Sequence, residues 1–82
     1  MKIILKPLGY LKNYFKDHLD KGQSELGIFI EKDNITVSDL LKNYNFDMDM
    51  VGHVLCGDNI VNLEYMLQDG DRIVVMMVLS GG

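Results

Sequence analysis

The chain has 82 residues, 48% of them hydrophobic, and its twelve acidic and eight basic side chains give a net charge of −4. This length suits one domain, and the single cysteine, Cys56, excludes an internal disulfide and a metal site built from several thiolates. An acidic balance argues against nucleic-acid binding, and the sequence shows neither a signal peptide nor a membrane-length apolar run, so we expect a cytoplasmic protein without membrane contacts.

The first third of the chain predicts two strands with a helical segment between them. The partly alternating stretch KIILK, residues 2–6, predicts a strand that stops at Pro7. The apolar residues of YLKNYFKDHL, residues 10–19, recur at helical spacing and predict a short amphipathic helix or a helical turn. After a turn at residues 20–23, the alternation in ELGIFIE, residues 25–31, predicts a second strand.

A helix start is the clearest local signal in the sequence. Thr36 is a good N-cap, and Asp39 stands three residues later, where its carboxylate completes a capping box. Ile35 and Leu40 have the spacing of a hydrophobic staple. The predicted helix carries one apolar stripe, formed by Val37, Leu40, Leu41 and Tyr44.

The middle of the chain predicts a loop and two further strands. FDMDM, residues 46–50, is expected to be a loop, and VGHVLC, residues 51–56, a third strand. Residues 57–59 would close that strand with a turn, and residues 60–61 would form a brief fourth strand.

The last strand is predicted to begin after the turn dipeptide Asp69-Gly70 and to run from Arg72 to about Leu79. It is apolar on both faces, as expected in the middle of a sheet or between a helix and a partner protein. The predicted fold is therefore α+β, with a mixed sheet of four to five strands around one main helix. Residues 1–79 would form the domain and residues 80–82 a flexible tail.

The tail ends in Gly81-Gly82. Two glycines are unfavourable in ordered structure, because glycine has no side chain to pack and loses the most conformational freedom on ordering. Either the two glycines are inert or the terminal carboxylate is the reacting group. A free carboxylate is ionised and unreactive near pH 7, so it would need activation, such as adenylation by ATP. A tail without β-carbons enters a narrow nucleotide site easily.

Two stretches, TVSDLL (residues 36–41) and VLCGDNIVNLEYMLQDGDRIVVMMVLSGG (residues 54–82), resemble the ThiS and MoaD sulfur carriers. These are ubiquitin-like β-grasp proteins with a VNG turn, a DGD turn, an apolar strand and a final Gly-Gly. The resemblance covers nearly the whole chain and is weakest over residues 9–23. The chain departs from the pattern at Cys56, in place of asparagine, and at Met77-Val78, where two prolines are frequent.

The resemblance implies a carrier that is not itself an enzyme and has no catalytic residue, metal or cofactor of its own. An adenylyltransferase of the ubiquitin-activating type would activate the Gly82 carboxylate, with Gly81 leading into its site, and a sulfur donor would give a thiocarboxylate. The sulfur acceptor would belong to molybdopterin or thiamine biosynthesis, with a molybdopterin synthase large subunit or a thiazole synthase as partner.

The resemblance also implies a docking face. In molybdopterin-type carriers an exposed apolar residue of the last strand docks on the activating partner, and Met76 matches that position while Ile60 matches a second one. If Ile73 and Val75 face the helix, strand alternation puts Val74, Met76 and Val78 on the opposite face. The alternative is that Met76 is ordinary surface or is covered by the first helical segment.

Two other functions stay open. The chain could be a ubiquitin-like modifier joined through Gly82 to a lysine, or a non-catalytic β-grasp binding module in which the glycines are inert. Asp69 and Asp71 flank one glycine, and three residues of a tight turn cannot surround a cation, so we expect them to form the turn.

Overall fold

The structure is a computed structural model that describes residues 1–15, 17, 19 and 22–77. The strands of this part are β1 (Lys2–Pro7), β2 (Leu26–Phe29), β3 (Val51–Cys56), β4 (Asn59–Val61) and β5 (Arg72–Met77). The α-helix α1 spans Val37–Asn43, and two 3-10 helices span Gly9–Phe15 and Met48–Met50.

The strands form a mixed sheet in the order β2-β1-β5-β3-β4. β1 and β5 are parallel, whereas the β1–β2, β3–β5 and β3–β4 pairs are antiparallel. The expected mixed sheet with one main helix is thus confirmed. β5 lies in the middle of the sheet, as its apolar character on both faces predicts.

The hydrophobic core lies between one face of the sheet and α1. Ile3 and Leu5 of β1 and Ile73 and Val75 of β5 are fully buried there. The helix contributes its predicted stripe, Val37, Leu40 and Leu41, while Tyr44 is half-buried and packs against the same cluster. Leu11 of the first 3-10 helix is also fully buried in this cluster.

The predicted capping box of α1 is present in both halves. The Thr36 hydroxyl accepts the Asp39 N–H at 3.1 Å, and the Asp39 carboxylate accepts the Thr36 N–H at 3.1 Å. These hydrogen bonds to Thr36 hold the pKa of Asp39 below its ordinary value. The N–H groups of Val37 and Ser38 donate to carbonyls of residues 63–65, so the start of the helix is tied to the loop before β5.

The turn before β5 is joined to the first strand through three hydrogen bonds. Asp69 Oδ1 accepts the Lys2 N–H at 2.7 Å, and the Gly70 N–H donates to the Lys2 carbonyl at 2.8 Å. The Ile4 N–H donates to the Asp71 carbonyl at 2.9 Å. Gly70 has φ +88°, a conformation that favours glycine. The turn therefore fixes the register of β5 against β1.

Tyr65 holds the same turn from the core side. Its hydroxyl donates to Asp71 Oδ2 at 3.0 Å, and that oxygen also accepts the Gln68 N–H at 2.9 Å. The Cys56 thiol donates to the Tyr65 oxygen at 3.5 Å. The bond with Cys56, partial burial and the Asp71 carboxylate together raise the pKa of Tyr65 above its ordinary value. Both acidic residues of the turn have structural partners.

Besides β2, which spans Leu26–Phe29 and not residues 25–31, three boundaries differ from the sequence-based expectations. Residues 46–50 are not simply a loop, because they include the 3-10 helix Met48–Met50. The Asp47 side chain caps this helix by accepting the Asp49 N–H at 3.0 Å. Asn59 opens β4 instead of closing the turn, because it pairs with Cys56.

The third difference is Pro7, which belongs to β1 as its last residue, whereas the sequence predicts that the strand ends before it. Leu5 pairs with Leu26, the first residue of β2, so β2 does not extend alongside Pro7. A missing N–H is tolerated where the neighbouring strand has ended. On the other side, Pro7 is paired with Val75 of β5.

The capping box generates the first prediction. Thr36→Ala should lower the free energy of unfolding by about 1 kcal/mol, because the Asp39 N–H loses its acceptor. Urea unfolding at pH 7 measures the change. Thr36→Ser keeps the hydroxyl and is the matched control, with a stability near that of the wild type. Equal losses in both variants would contradict the role of the hydroxyl.

Tyr65 generates the second prediction. Tyr65→Phe should lower the free energy of unfolding by about 1 kcal/mol at pH 7, because two hydrogen bonds of the turn are lost. The pKa of Tyr65 is higher in the folded than in the unfolded protein, so this contribution is complete below about pH 10 and is lost as pH rises further. Urea unfolding between pH 7 and pH 11 should show the difference between the two proteins shrinking above about pH 10. A constant difference would contradict the assignment.

Candidate functional site

The candidate site lies on the outer face, which we define as the face of the sheet opposite α1. Strand pairing aligns Lys6 with Val74, Val74 with Leu55, and Leu55 with Ile60. Side chains of directly paired residues share a face. Because their neighbours in β5, Ile73 and Val75, are buried on the inner face, this row of four points outward.

A second, shorter row lies beside the first. Met76 pairs with His53, and both belong to the outer face by alternation. The register then shifts by one residue at Gly52, so that Val51 pairs with Met77. Val51 and Met77 both pack against the core cluster. The bulge therefore returns β3 to the inner face and leaves His53 exposed beside Met76.

The two rows form a strip that is apolar in the middle and polar at its ends. Val74, Leu55 and Met76 are half-buried, and the Ile60 side chain is 70% exposed. Among the described residues, none of these four belongs to the set that packs against the core. Lys6 and His53 flank them. We call Val74, Leu55, Met76 and Ile60 the outer strip; such a patch suits contact with another protein.

The structure brings together two of the residues predicted for partner binding. Met76 on β5 and Ile60 on β4 share the outer face, with β3 between their strands. Val78, Gly81 and Gly82 lie outside the described residues, as does the predicted tail, residues 80–82.

Sequence reasoning missed Leu55 as a site residue and did not assign Val74 a role. Both lie in the row that connects β5 to Ile60. The available signal was the alternation in VGHVLC, where His53 and Leu55 share a face. It was hard to use because the row depends on the register between strands distant in sequence.

Cys56 and the two aspartates of the turn before β5 are hydrogen-bonded within the fold. Cys56 is half-buried, packs against the core and is hydrogen-bonded to Tyr65. In the described part of the chain, no three His, Cys, Asp or Glu side chains are grouped so that they could hold a metal ion. None of the described helices is long and apolar enough to cross a membrane.

Comparison with known proteins identifies the fold and the family. The sequence model of the ThiS family matches residues 21–82, which leaves out the N-terminal part where the resemblance is weakest. No curated protein matches the sequence.

Two solved structures share the fold. SAMP1 from Haloferax volcanii has a TM-score of 0.63 at 17% identity, with 100% of both chains covered. A second structure, of H. volcanii small archaeal modifier protein 1, has a TM-score of 0.60 at 15% identity, covering 90% of this chain and 93% of that one. The order of the described strands and the position of α1 agree with a ubiquitin-like β-grasp. The family match covers most of the sequence and includes α1 and β3 to β5, so this β-grasp chain belongs to the ThiS family and is a carrier rather than an enzyme.

Proposed function

We propose that the chain works in the cytoplasm as a sulfur carrier whose Gly82 carboxylate is adenylated and converted to a thiocarboxylate. The observation that carries this proposal is the family match, which runs through β5 to Gly82. The matched region includes both the central strand β5 and the two final glycines. The acceptor would be a precursor in molybdopterin or thiamine-type cofactor biosynthesis.

The chemistry requires two displacements at the end of the tail. First, a carboxylate oxygen of Gly82 attacks the α-phosphate of ATP, and pyrophosphate leaves. A hydrosulfide ion released by the donor then attacks the acyl carbon, AMP leaves with the electron pair of the broken acyl–phosphate bond, and loss of the thiol proton leaves a thiocarboxylate. Both steps would take place in the active site of an adenylyltransferase of the ubiquitin-activating type, so the carrier needs no general base of its own.

The fold supports the proposal by anchoring the segment that leads to the tail. β5 has a strand on each side, and its turn is hydrogen-bonded to β1. The domain, residues 1–79, would thus provide a rigid base, and residues 80–82 would provide the flexible tail. Gly81 and Gly82 lack β-carbons, so they would fit a narrow passage to the nucleotide.

The outer strip is the proposed docking surface for the adenylyltransferase. Its exposed member, Ile60, and its half-buried member, Met76, would contact the enzyme, and Val78 would extend the contact toward the tail. Methionine adapts to differently shaped surfaces, which suits a carrier that meets more than one protein. The later partner would be a molybdopterin synthase large subunit or a thiazole synthase.

The third prediction tests the reacting group. With ATP, a sulfur donor and the activating enzyme, the intact mass of the carrier should rise by the difference between sulfur and oxygen. A variant without Gly81 and Gly82, and a second with one alanine added after Gly82, should show no such rise. Both should keep the wild-type free energy of unfolding. Sulfur located by fragmentation at a side chain, and not at a C-terminal carboxyl group, would contradict the Gly82 carboxylate as the reacting group.

A second candidate function is that of a ubiquitin-like modifier joined through Gly82 to a lysine. It is supported by the likeness in fold to small archaeal modifier protein 1. Both functions use the same activated carboxyl group and differ in the acceptor. Mass spectrometry of the protein purified from its own cell distinguishes a thiocarboxylate from isopeptide-linked conjugates.

The fourth prediction tests the docking surface. Ile60→Lys should raise the KM for the carrier in ATP–pyrophosphate exchange about ten-fold with kcat little changed, because a buried lysine at the interface would lose its hydration. The matched control is Phe29→Lys, since Phe29 is 82% exposed but lies at the opposite edge of the sheet. The control should leave KM unchanged. Equal KM values for both variants would rule out docking through Ile60.

A further inference from the structure

The edge of the sheet formed by β2 presents backbone groups that are available for a further strand. Met1 and Ile30 exchange two backbone hydrogen bonds, of 2.6 and 2.8 Å. Bonded pairs alternate with non-bonded pairs in an antiparallel ladder, so Ile28 bonds to β1 whereas Gly27 and Phe29 do not. The N–H and C=O groups of Gly27 and Phe29 therefore point away from β1. Among the described strands, β2 has no other neighbour.

This edge lacks two of the usual protections against pairing. Natural edge strands are shortened, charged or interrupted by proline, and β2, with four residues, is about as short as β4 with three. β2 reads LGIF, without a charge or a proline. The Phe29 ring is 82% exposed, and Lys2 Nζ lies 5.8 Å from its centroid. A large aromatic side chain is thus held at the open edge.

A groove of about 730 Å³ lies beside this edge, between β2, the following loop and α1. Its apolar lining includes Ile28, Ile30, Ile35 and Leu40. Side chains of a strand added to β2 would point alternately to the two faces of the sheet. One set would contact the Phe29 ring, and the other would enter the groove.

The rim of the groove is acidic. Glu31, Asp33 and Asp39 line it together with one lysine, Lys32, so three acidic residues stand against one basic residue. The hydrogen bonds with Thr36 lower the pKa of Asp39. This excess of negative charge favours a ligand with lysine or arginine beside its apolar residues.

We propose that the β2 edge and this groove bind an extended segment of another protein, in which apolar residues are flanked by lysine or arginine. The segment adds a strand to the sheet through the backbone groups of Gly27 and Phe29. Its apolar side chains fill the groove and cover the Phe29 ring, and its basic side chains face the acidic rim.

A second copy of this chain fits the edge less well. The antiparallel register that pairs Gly27 with Phe29 of the second copy places Glu25 opposite Glu31, and like charges directly opposite each other are destabilising. Each copy also carries a net charge of −4, which opposes self-association.

The site is separate from the proposed sulfur chemistry. β1 lies between β2 and β5, and the edge is at the opposite end of the sheet from Ile60. The groove can therefore be occupied while the outer strip and the tail are engaged. Binding at the edge would persist in a protein without Gly81 and Gly82, so this inference and the proposed function can fail independently.

The fifth prediction uses a defined probe. The probe is a fluorescein-labelled peptide with five alternating Val and Ile residues between two pairs of lysines, and the control peptide has glutamates in place of the lysines. Fluorescence anisotropy should show the lysine peptide binding with a Kd on the order of 100 μM, and the glutamate peptide about ten-fold more weakly. Amide hydrogen exchange by NMR should slow at Gly27 and Phe29 when the lysine peptide binds.

Two variants at one position test the strand addition. Gly27→Pro removes the outward N–H and leaves the bonds to β1, so it should weaken peptide binding at least about ten-fold. Gly27→Ala is the matched control, because its β-carbon would have only the end of Lys2 at 4.0 Å as a neighbour and its N–H is kept. This variant should bind within about two-fold of the wild type. Unfolding curves of both variants show whether the fold is retained.

Three results would overturn the inference. One is the absence of peptide binding to the wild-type protein at millimolar concentration. Another is equal affinity of folded Gly27→Pro and Gly27→Ala. The third is a dimer in sedimentation equilibrium that Gly27→Pro converts to monomer, since the edge would then bind a second copy.

Discussion

The parallel pairing of β1 with β5 is the constraint on which the rest of the structure depends. Adjacent parallel strands require a long crossover connection, and here residues 8–71 form it. The bonds between Lys2 and the turn at Asp69-Gly70 set the register of this pair. Once the pair is formed, β5 occupies the centre of the sheet, with β3 on its other side. The strand that leads to the two final glycines is therefore among the best supported in the molecule.

In a central strand with two apolar faces, the residues that stabilise the core are separate from those of the proposed docking surface. Ile73 and Val75 are fully buried against the core, whereas Val74 and Met76 are on the outer strip, away from the core cluster. Substitutions on the outer strip can thus change partner binding with little effect on the core. The same alternation means that so short a domain needs no additional loop or helix for the proposed docking surface.

Local signals predicted much of the fold. Thr36 and Asp39 are three residues apart, so both hydrogen bonds of the capping box could be inferred from the sequence, and the structure contains both. The Asp69-Gly70 turn was predicted as well, but its bonds to Lys2 join residues distant in sequence and leave no local pattern. The 3-10 helix at Met48–Met50 was missed because one turn of helix has too few residues to show a period.

The outer strip was only partly predictable for the same reason. Alternation in β5 places Met76 outward, and this is confirmed by the burial of Ile73 and Val75 on the other face. Leu55 joins the strip because β3 pairs with β5 in one register, and the bulge at Gly52 changes that register before Val51. A single sequence contains the alternation of each strand but not the alignment between strands. Ile60 could be named from the family resemblance, while the row that connects it to β5 could not be derived from the sequence.

The positions of the two proposed contact surfaces have a further consequence for how partners would bind. The outer strip ends at β4, and the acidic groove lies between β2 and α1, so the two surfaces are near opposite edges of one sheet. Two separate proteins can occupy them together without competing for the same residues. If instead one protein, or two tethered proteins, reached both, the second contact would become intramolecular and the overall affinity would exceed that of either surface alone. A carrier that must leave one enzyme and meet another benefits when each contact is weak by itself, because each can dissociate quickly once the other is lost.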